Sequence, residues 1–239
     1  MMSNVIPQSN PMIAVIGAGN IGGTLARRWA ATGLAVRLAN SRGPQSLADV
    51  VAGTPIRACS LDDVAVDAEV VVVSVPFGRV ATLRDTLSRL PRHVPVIDTG
   101  NYVPVVRDDS VQAIDAGLTE SVWVAELLDR TLVKAFNTIG AASLRAKASA
   151  GHEPVRVAAP VAADLAEHRL IANLLVDAAG FQPIEGGTIA QSWRQQPGTP
   201  VYTTDLDPAA ARAALEAARP EQTVAWRARV AANQATAGE

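Results

Sequence analysis

Near the amino terminus, Gly17-Ala18-Gly19-Asn20-Ile21-Gly22 places three glycines where an apolar run gives way to helical spacing. A glycine in the first place permits a tight turn, the second lets a backbone approach a pyrophosphate, and the third brings helix and strand close. The free N–H groups and positive dipole end of the helix then face an anion. Dinucleotide binding is the chemistry this context predicts. The choice of dinucleotide is made at the end of the next strand, where an Asp or Glu would accept bonds from the ribose 2′-OH. This chain has Ala39-Asn40-Ser41-Arg42-Gly43-Pro44 there, with no acid. Ser41 offers a hydroxyl, Arg42 a permanently charged planar fork suited to a phosphate dianion, and Asn40 no opposing charge. NADP(H) is therefore expected rather than NAD(H).

Ligands of open α/β sheets lie beyond the carboxyl ends of the strands. The segments expected there are Ser74-Val75-Pro76-Phe77-Gly78, Asp98-Thr99-Gly100-Asn101-Tyr102 and Ala135-Phe136-Asn137-Thr138-Ile139, all rich in small or amide groups. Reduction of C=O or oxidation of C–OH needs a proton donor or acceptor, usually His, Lys or Tyr. His93 precedes a strand and falls at the wrong end, His168 rides an amphipathic helix, and His152 has no partner in view. Tyr102 has no lysine four residues on, and Asp98 is better placed to fix turn amides. There is no CxxC, no HExxH and no close histidine pair, so no metal is expected. No catalytic side chain is assigned. Such a site suits hydride transfer between two redox cofactors, where the protein only positions rings.

The elements that must position these residues alternate short β-branched runs with helical patterns, which predicts a doubly wound, mostly parallel α/β sheet of the Rossmann type. Strands are expected at Met12 to Ile16, Ala35 to Ala39, Pro55 to Ala58, Glu69 to Val75, Val94 to Asp98 and Thr131 to Phe136. Helices are expected after Ile21 with Gly33 closing the first, over Pro44 to Val51, Arg79 to Leu90 and Ala141 to Ser149, and briefly after Ser60. Val103 to Arg130 carries no clear element. Beyond Gly151 the pattern predicts a strand at Val155 to Ala158, a helix over Ala163 to Ala179, a strand at Phe181 to Ile184 and helical structure over Thr188 to Arg194. A loop over Gln195 to Thr204 and a helix opened by Asp207-Pro208 follow. The expected division is an NADP-binding domain over 1–160 and a C-terminal α/β extension over 161–239 that completes the substrate pocket and dimer contacts.

Composition narrows the classes. The chain has 239 residues, 49% of them hydrophobic and 18% charged, enough apolar mass for one sizeable core. Its formal net charge of −2 leaves no field to gather polyanions, so neither nucleic acid nor an anionic membrane is an expected partner. The single cysteine, Cys59, cannot pair internally and reads as a small buried residue. Residues 1–11 lack the basic and apolar regions of a signal peptide, and no apolar run is long enough to span a bilayer; a cytoplasmic protein is expected.

Taken in order, Gly17 to Gly22, Ala39 to Pro44, Ser74-Val75-Pro76, Asp98 to Asn101, Val133-Lys134-Ala135-Phe136-Asn137-Thr138 and Arg194-Gln195-Gln196-Pro197-Gly198-Thr199-Pro200 resemble the NADPH:coenzyme F420 oxidoreductase (F420-dependent NADP reductase) family. The likeness runs over residues 12–205. It implies a homodimer that passes hydride between the nicotinamide and a flat deazaflavin- or flavin-type small molecule. By resemblance the phosphate loop is Gly17, Ala18, Gly19, Asn20, Ile21 and Gly22, and the 2′-phosphate clamp is Ser41 and Arg42. Ser74 is expected near the nicotinamide, and Ala135, Asn137, Thr138 and Ile139 along the pocket where two rings stack. The alternatives are an NADPH-dependent reductase of a small C=N or C=O substrate and a non-catalytic NADP(H) redox sensor.

Overall fold

Val70 to Val73 is four valines in succession, all buried, and it forms the strand that a sheet covered on both faces requires. The computed structural model describes residues 11–148 and 156–237; His152 and the expected strand start at Val155 lie outside the described residues. The elements are β1 (Met12–Ile16), α1 (Gly22–Ala31), β2 (Ala35–Ala39), α2 (Ala48–Val51), β3 (Arg57–Ala58), β4 (Val70–Val73), α3 (Arg84–Ser88), β5 (Val96–Asp98), α4 (Gln112–Asp115), α5 (Glu120–Leu128), β6 (Leu132–Lys134), α6 (Ala141–Ala146), β7 (Ala158–Ala163), α7 (Ala166–Ala178), β8 (Gln182–Gly187), α8 (Pro208–Ala217) and α9 (Pro220–Ala237). Short 3-10 helices occupy Pro44–Leu47, Phe77–Leu83 and Ile189–Gln195.

All eight strands form one sheet in the order β3-β2-β1-β4-β5-β6-β7-β8. The first six in that order are mutually parallel, β7 runs antiparallel to β6, and β8 is parallel to β7. Alternation along each strand divides the core in two. Ile13, Val15, Val70 and Val72 join Leu25, Trp29 and Val176 on one face, while Ala14, Ile16, Val71 and Val73 join Phe77, Tyr102 and Leu128 on the other. On the first face Trp29 donates its Nε1–H to the Leu175 carbonyl at 2.8 Å, and its ring meets Phe136 edge-on at 5.9 Å. Among the described residues, no helix is long and apolar enough to cross a membrane.

Several elements differ from the sequence expectation. Ser60 pairs with Asp63, its Oγ 2.7 Å from Oδ2 and accepting from the Asp63 N–H at 3.2 Å, yet a run of turns follows instead of a helix. The helix expected from Arg79 begins at Phe77 as a 3-10 turn and becomes α-helical only at Arg84. The strand expected at Val155 to Ala158 is the six-residue β7, which starts where that range ends. Alanine-rich and holding Pro160, β7 has poor strand propensity. It tolerates the proline because β6 pairs only with Ala162 and Ala163, so no ladder bond to β6 is demanded at Pro160. The expected division at 160/161 falls inside β7, and the sheet continues unbroken into β8. Asp207 caps α8 as expected, accepting from the Ala209 and Ala210 N–H groups at 2.8 and 2.9 Å.

Candidate functional site

The turn between β1 and α1 is shaped by two close approaches. Gly17 has φ +112°, and a side chain on it would fall on the Ser74 carbonyl oxygen. A side chain on Gly22 would fall on the Gly17 carbonyl oxygen and lie 2.9 Å from Ser74 Cβ. Gly19 is the opposite case: nothing lies within 4 Å of where its Cβ would be, so the backbone there faces open space. α1 has no side-chain cap and no acid in its first turn, which leaves its N-terminal N–H groups and dipole to an anion.

Those features open onto a cleft of about 690 Å³ whose lining includes Gly17, Ala18, Gly19, Asn40, Ser41, Arg42, Ser74, Val75 and Pro76. The corner after β2 is a closed local network. Asn40 Oδ1 accepts from the Arg42 N–H at 2.9 Å and its Nδ2 donates to Ser46 Oγ at 2.9 Å, so the backbone turn is held while the Ser41 and Arg42 side chains are exposed. Asn20, Ile21 and Gly22 stand just behind this lining, at the start of α1. Asn20 is exposed, and its carbonyl accepts from Thr24 Oγ1 at 2.7 Å. The cleft also includes Leu61, Arg79, Thr82 and Leu83, which sequence reasoning missed. Arg79 had a visible signal, since it directly follows the Ser74 to Gly78 segment expected at the sheet's carboxyl edge. Expecting a helix to begin at Arg79 obscured its place inside the turn.

The third expected segment is placed differently. Ala135, Phe136, Asn137, Thr138 and Ile139 are all 4% exposed or less and do not line the cleft. Asn137 Nδ2 donates to the Gln195 carbonyl at 2.7 Å and to Asn101 Oδ1 at 3.0 Å, and Thr138 O accepts from the Thr203 N–H at 2.8 Å. Phe136 holds φ +64°, an uncommon conformation for an aromatic residue, with its ring fixed against Trp29. This segment fastens the 195–203 loop to the end of β6. The sequence identifies its position but not that its amides are already engaged.

Between β5 and β6 lies a buried ion pair, Lys134 Nζ to Asp98 Oδ2 at 2.7 Å, with side chains 1% and 2% exposed. Lys134 also donates to the Gly100 carbonyl, and Asp98 Oδ1 accepts from the Gly100 N–H at 2.9 Å, the turn-fixing role expected of it. Farther along the same segment, Glu120 at the start of α5 accepts from the Tyr102 N–H at 3.1 Å and from Arg227 of α9 at 2.8 Å. Burial pushes the Glu120 carboxyl above its ordinary range, against the opposing pull of Lys134 and Arg227. Tyr102 is buried, with its hydroxyl donating to Asp115 at 3.1 Å and accepting from the Val111 N–H at 3.0 Å. Burial, the largest effect, raises its pKa. Lys134, Asp98, Glu120 and Tyr102 each hold backbone, and none of them lines the cleft. His93 is exposed ahead of β5, its carbonyl 3.1 Å from His168 Nε2, at the end of the sheet away from the glycine turn. Among the described residues, no three His, Cys, Asp or Glu side chains gather as a metal site.

Comparison with known proteins agrees with this fold. Residues 12–102 match the family model described as NADP oxidoreductase coenzyme F420-dependent. A crystal structure of the hypothetical protein SMa0349 from Sinorhizobium meliloti is 30% identical, with TM-score 0.72 over 86% of this chain and 99% of that one. The "putative f420 dependent nadp-reductase" from Arthrobacter sp. FB24 is 20% identical with TM-score 0.57, over 77% of this chain and 87% of that one, a likeness of fold. A 54-residue stretch is 44% identical to the Escherichia coli (strain K12) protein YjhV, and this chain spans 39% of that relative's length. With the glycine turn at the edge of β1, the strand order and the near full-length match to SMa0349, the chain belongs to the NAD(P)-binding Rossmann family of oxidoreductases represented by that F420-dependent model.

Proposed function

We propose that this protein transfers hydride between NADP(H) and a flat deazaflavin- or flavin-type acceptor. The observation that carries the proposal is the composition of a single cleft. An open glycine turn and an acid-free corner bearing Ser41 and Arg42 line the same 690 Å³ space. Ala18 and Gly19, at the open N-terminus of α1, would hold the pyrophosphate through backbone N–H groups, the Gly17 N–H being donated to the Ala39 carbonyl at 2.8 Å, and Arg42 with Ser41 would hold the 2′-phosphate. Ser74, Val75 and Pro76 would form the wall beside the ribose. When bound, NADPH supplies the hydride; the protein's part is to orient the nucleotide and keep it in place.

The flat acceptor is favoured by what surrounds the carboxyl ends of β5 and β6. Asp98 and Lys134 neutralise each other, and Tyr102 and Glu120 hold backbone or one another's neighbours. A carbonyl or imine acceptor would draw on a proton donor there. An acceptor that is itself an electron sink does not.

Titration of the protein with NADPH and NADH by fluorescence tests the cofactor, with NADPH expected to bind at least tenfold more tightly. Arg42→Ala is expected to weaken NADPH binding by about 1–3 kcal/mol, the scale of a charge-assisted bond, and to leave NADH unchanged. Loss of absorbance at 340 nm on adding a deazaflavin or FMN supports the acceptor class. Turnover with carbonyl or imine compounds alone would replace it with the small-substrate reductase, and binding without turnover on any acceptor would leave a redox sensor.

A further inference from the structure

We propose that Arg79 is a second specificity-determining residue of the same cleft, closing with Arg42 a two-arginine clamp on the nucleotide's 2′-phosphate. The inference rests on the NADP(H) reading given above and adds a residue to it. Arg42 and Arg79 reach the cleft from separate parts of the chain, one from the corner after β2 and the other from the 3-10 turn after β4, and both line it. The lining contains no carboxylate, although acids exceed bases in the chain by 23 to 21. Two uncompensated guanidiniums in one cleft of an acidic protein repel each other until an anion joins them.

Neither guanidinium has a partner among the described residues. Carboxylates in the flanking segments turn elsewhere: Asp62 to Arg89 at 3.4 Å, Asp63 to Ser60 Oγ at 2.7 Å, and Asp108 to Arg107 at 2.9 Å. Asp108 also accepts from the Gly78 N–H at 3.2 Å, so the acid beside Arg79 is spent on the backbone next to it. Arg79 itself is exposed, and its bonds among the described residues are made by its main chain: its N–H donates to the Pro76 carbonyl at 2.8 Å and its carbonyl accepts from Thr82 Oγ1 at 2.7 Å.

The cleft lining indicates which phosphate Arg79 would meet. Leu61, which follows β3, lines the cleft together with Leu83 and Thr82 of the turn that carries Arg79 and with Ser41 and Arg42 of the corner after β2. Leu61, Leu83 and Val75 there offer the apolar surface an adenine ring needs. The pyrophosphate is served separately by the open backbone at Gly19. That leaves the extra phosphate of NADP(H) as the group between the two arginines, and a bidentate fork on each side suits its three oxygens.

Arg79→Gln and Arg79→Lys proteins, titrated with 2′,5′-ADP and with 5′-AMP, test the clamp. Because Arg79 is exposed and unpartnered, both variants are expected to melt with the wild type. The expected result is a 10- to 100-fold loss of 2′,5′-ADP affinity in Arg79→Gln, partial retention in Arg79→Lys, and unchanged 5′-AMP affinity. Equal loss for both nucleotides would mean that Arg79 stacks on adenine or meets the 5′-phosphate, and no loss would mean that it is a solvated surface residue; either result overturns the proposal. If the wild type itself binds 5′-AMP as tightly as 2′,5′-ADP, it is the NADP(H) reading that fails.

Discussion

Gly17 and Gly19 are two residues apart and answer to different constraints. Gly17 lies at positive φ with the Ser74 carbonyl where a side chain would go, so Gly17→Ala must move the ends of β1 and β4 apart. A loss of about 4–5 kcal/mol, at the upper end of single-residue effects, is expected in urea unfolding. Gly19 has empty space on that side, so Gly19→Ala should change stability by no more than about 0.5 kcal/mol. Its cost should appear instead in nucleotide binding, as a loss of tenfold or more by calorimetry, since a methyl group would stand where the pyrophosphate approaches. If Gly19→Ala bound NADPH normally, the open space at this turn would not be the phosphate site. The glycine motif and the Asn40-Ser41-Arg42 corner were legible in the sequence because local geometry dictates both. Arg79 was not, since its relevance depends on a turn after β4 lining the same cleft as the corner after β2. Neither was the engagement of Asn137, whose partners Gln195 and Asn101 are remote in the chain.

Helix α9 is held to the sheet domain by Arg227, which reaches Glu120 of α5 across 107 residues of sequence and lies 5.0 Å from the Tyr102 ring centre. The same helix is seated on Gly198, where a side chain would meet Trp226 and come within 2.7 Å of the Gln222 carbonyl. Through Glu120 the helix is coupled to the Tyr102 N–H, and so to the backbone just beyond β5. Removing one partner of a buried pair leaves the other charge uncompensated. Arg227→Met is therefore expected to cost about 3–5 kcal/mol, and adding Glu120→Gln to recover most of that, a coupling that a double-mutant cycle in urea would measure. Additive effects would show that the two side chains act independently. Periodicity revealed β1, β2, α1 and α7 closely because their apolar spacing is strong. It missed α4 and α5, whose segment mixes polar and apolar positions without a dominant stripe, and it shortened β7, whose alanines and proline resemble a loop.

Across the whole molecule, two ion pairs are withdrawn from solvent at the carboxyl side of β5 and β6: Asp98 with Lys134, both buried, and the buried Glu120 with Arg227, whose side chain is 12% exposed. Desolvation raises the Glu120 pKa above its ordinary value against the opposing pull of Lys134 and Arg227, so over the pH range between the two values the folded state holds a proton that the unfolded chain releases. Stability from this group is thus greatest below the unfolded pKa and falls as pH rises toward the folded value. The stability difference between wild type and Glu120→Gln should shift against the wild type as pH rises above the ordinary carboxyl range, read from urea midpoints at each pH; a constant difference would show that the Glu120 pKa is not raised by folding. One buried network can set such a slope because net stability is a small remainder, about 5–15 kcal/mol, of large opposing quantities. Sequence alone was enough for the parallel sheet, the glycine turn and the acid-free corner, because strand alternation, glycine geometry and missing charge are properties of neighbouring residues. Folding was needed to bring Arg79 and Arg42 to one cleft, to pair Glu120 with Arg227 and to bury the 135–139 segment, because each depends on residues far apart in the chain, which no local pattern encodes.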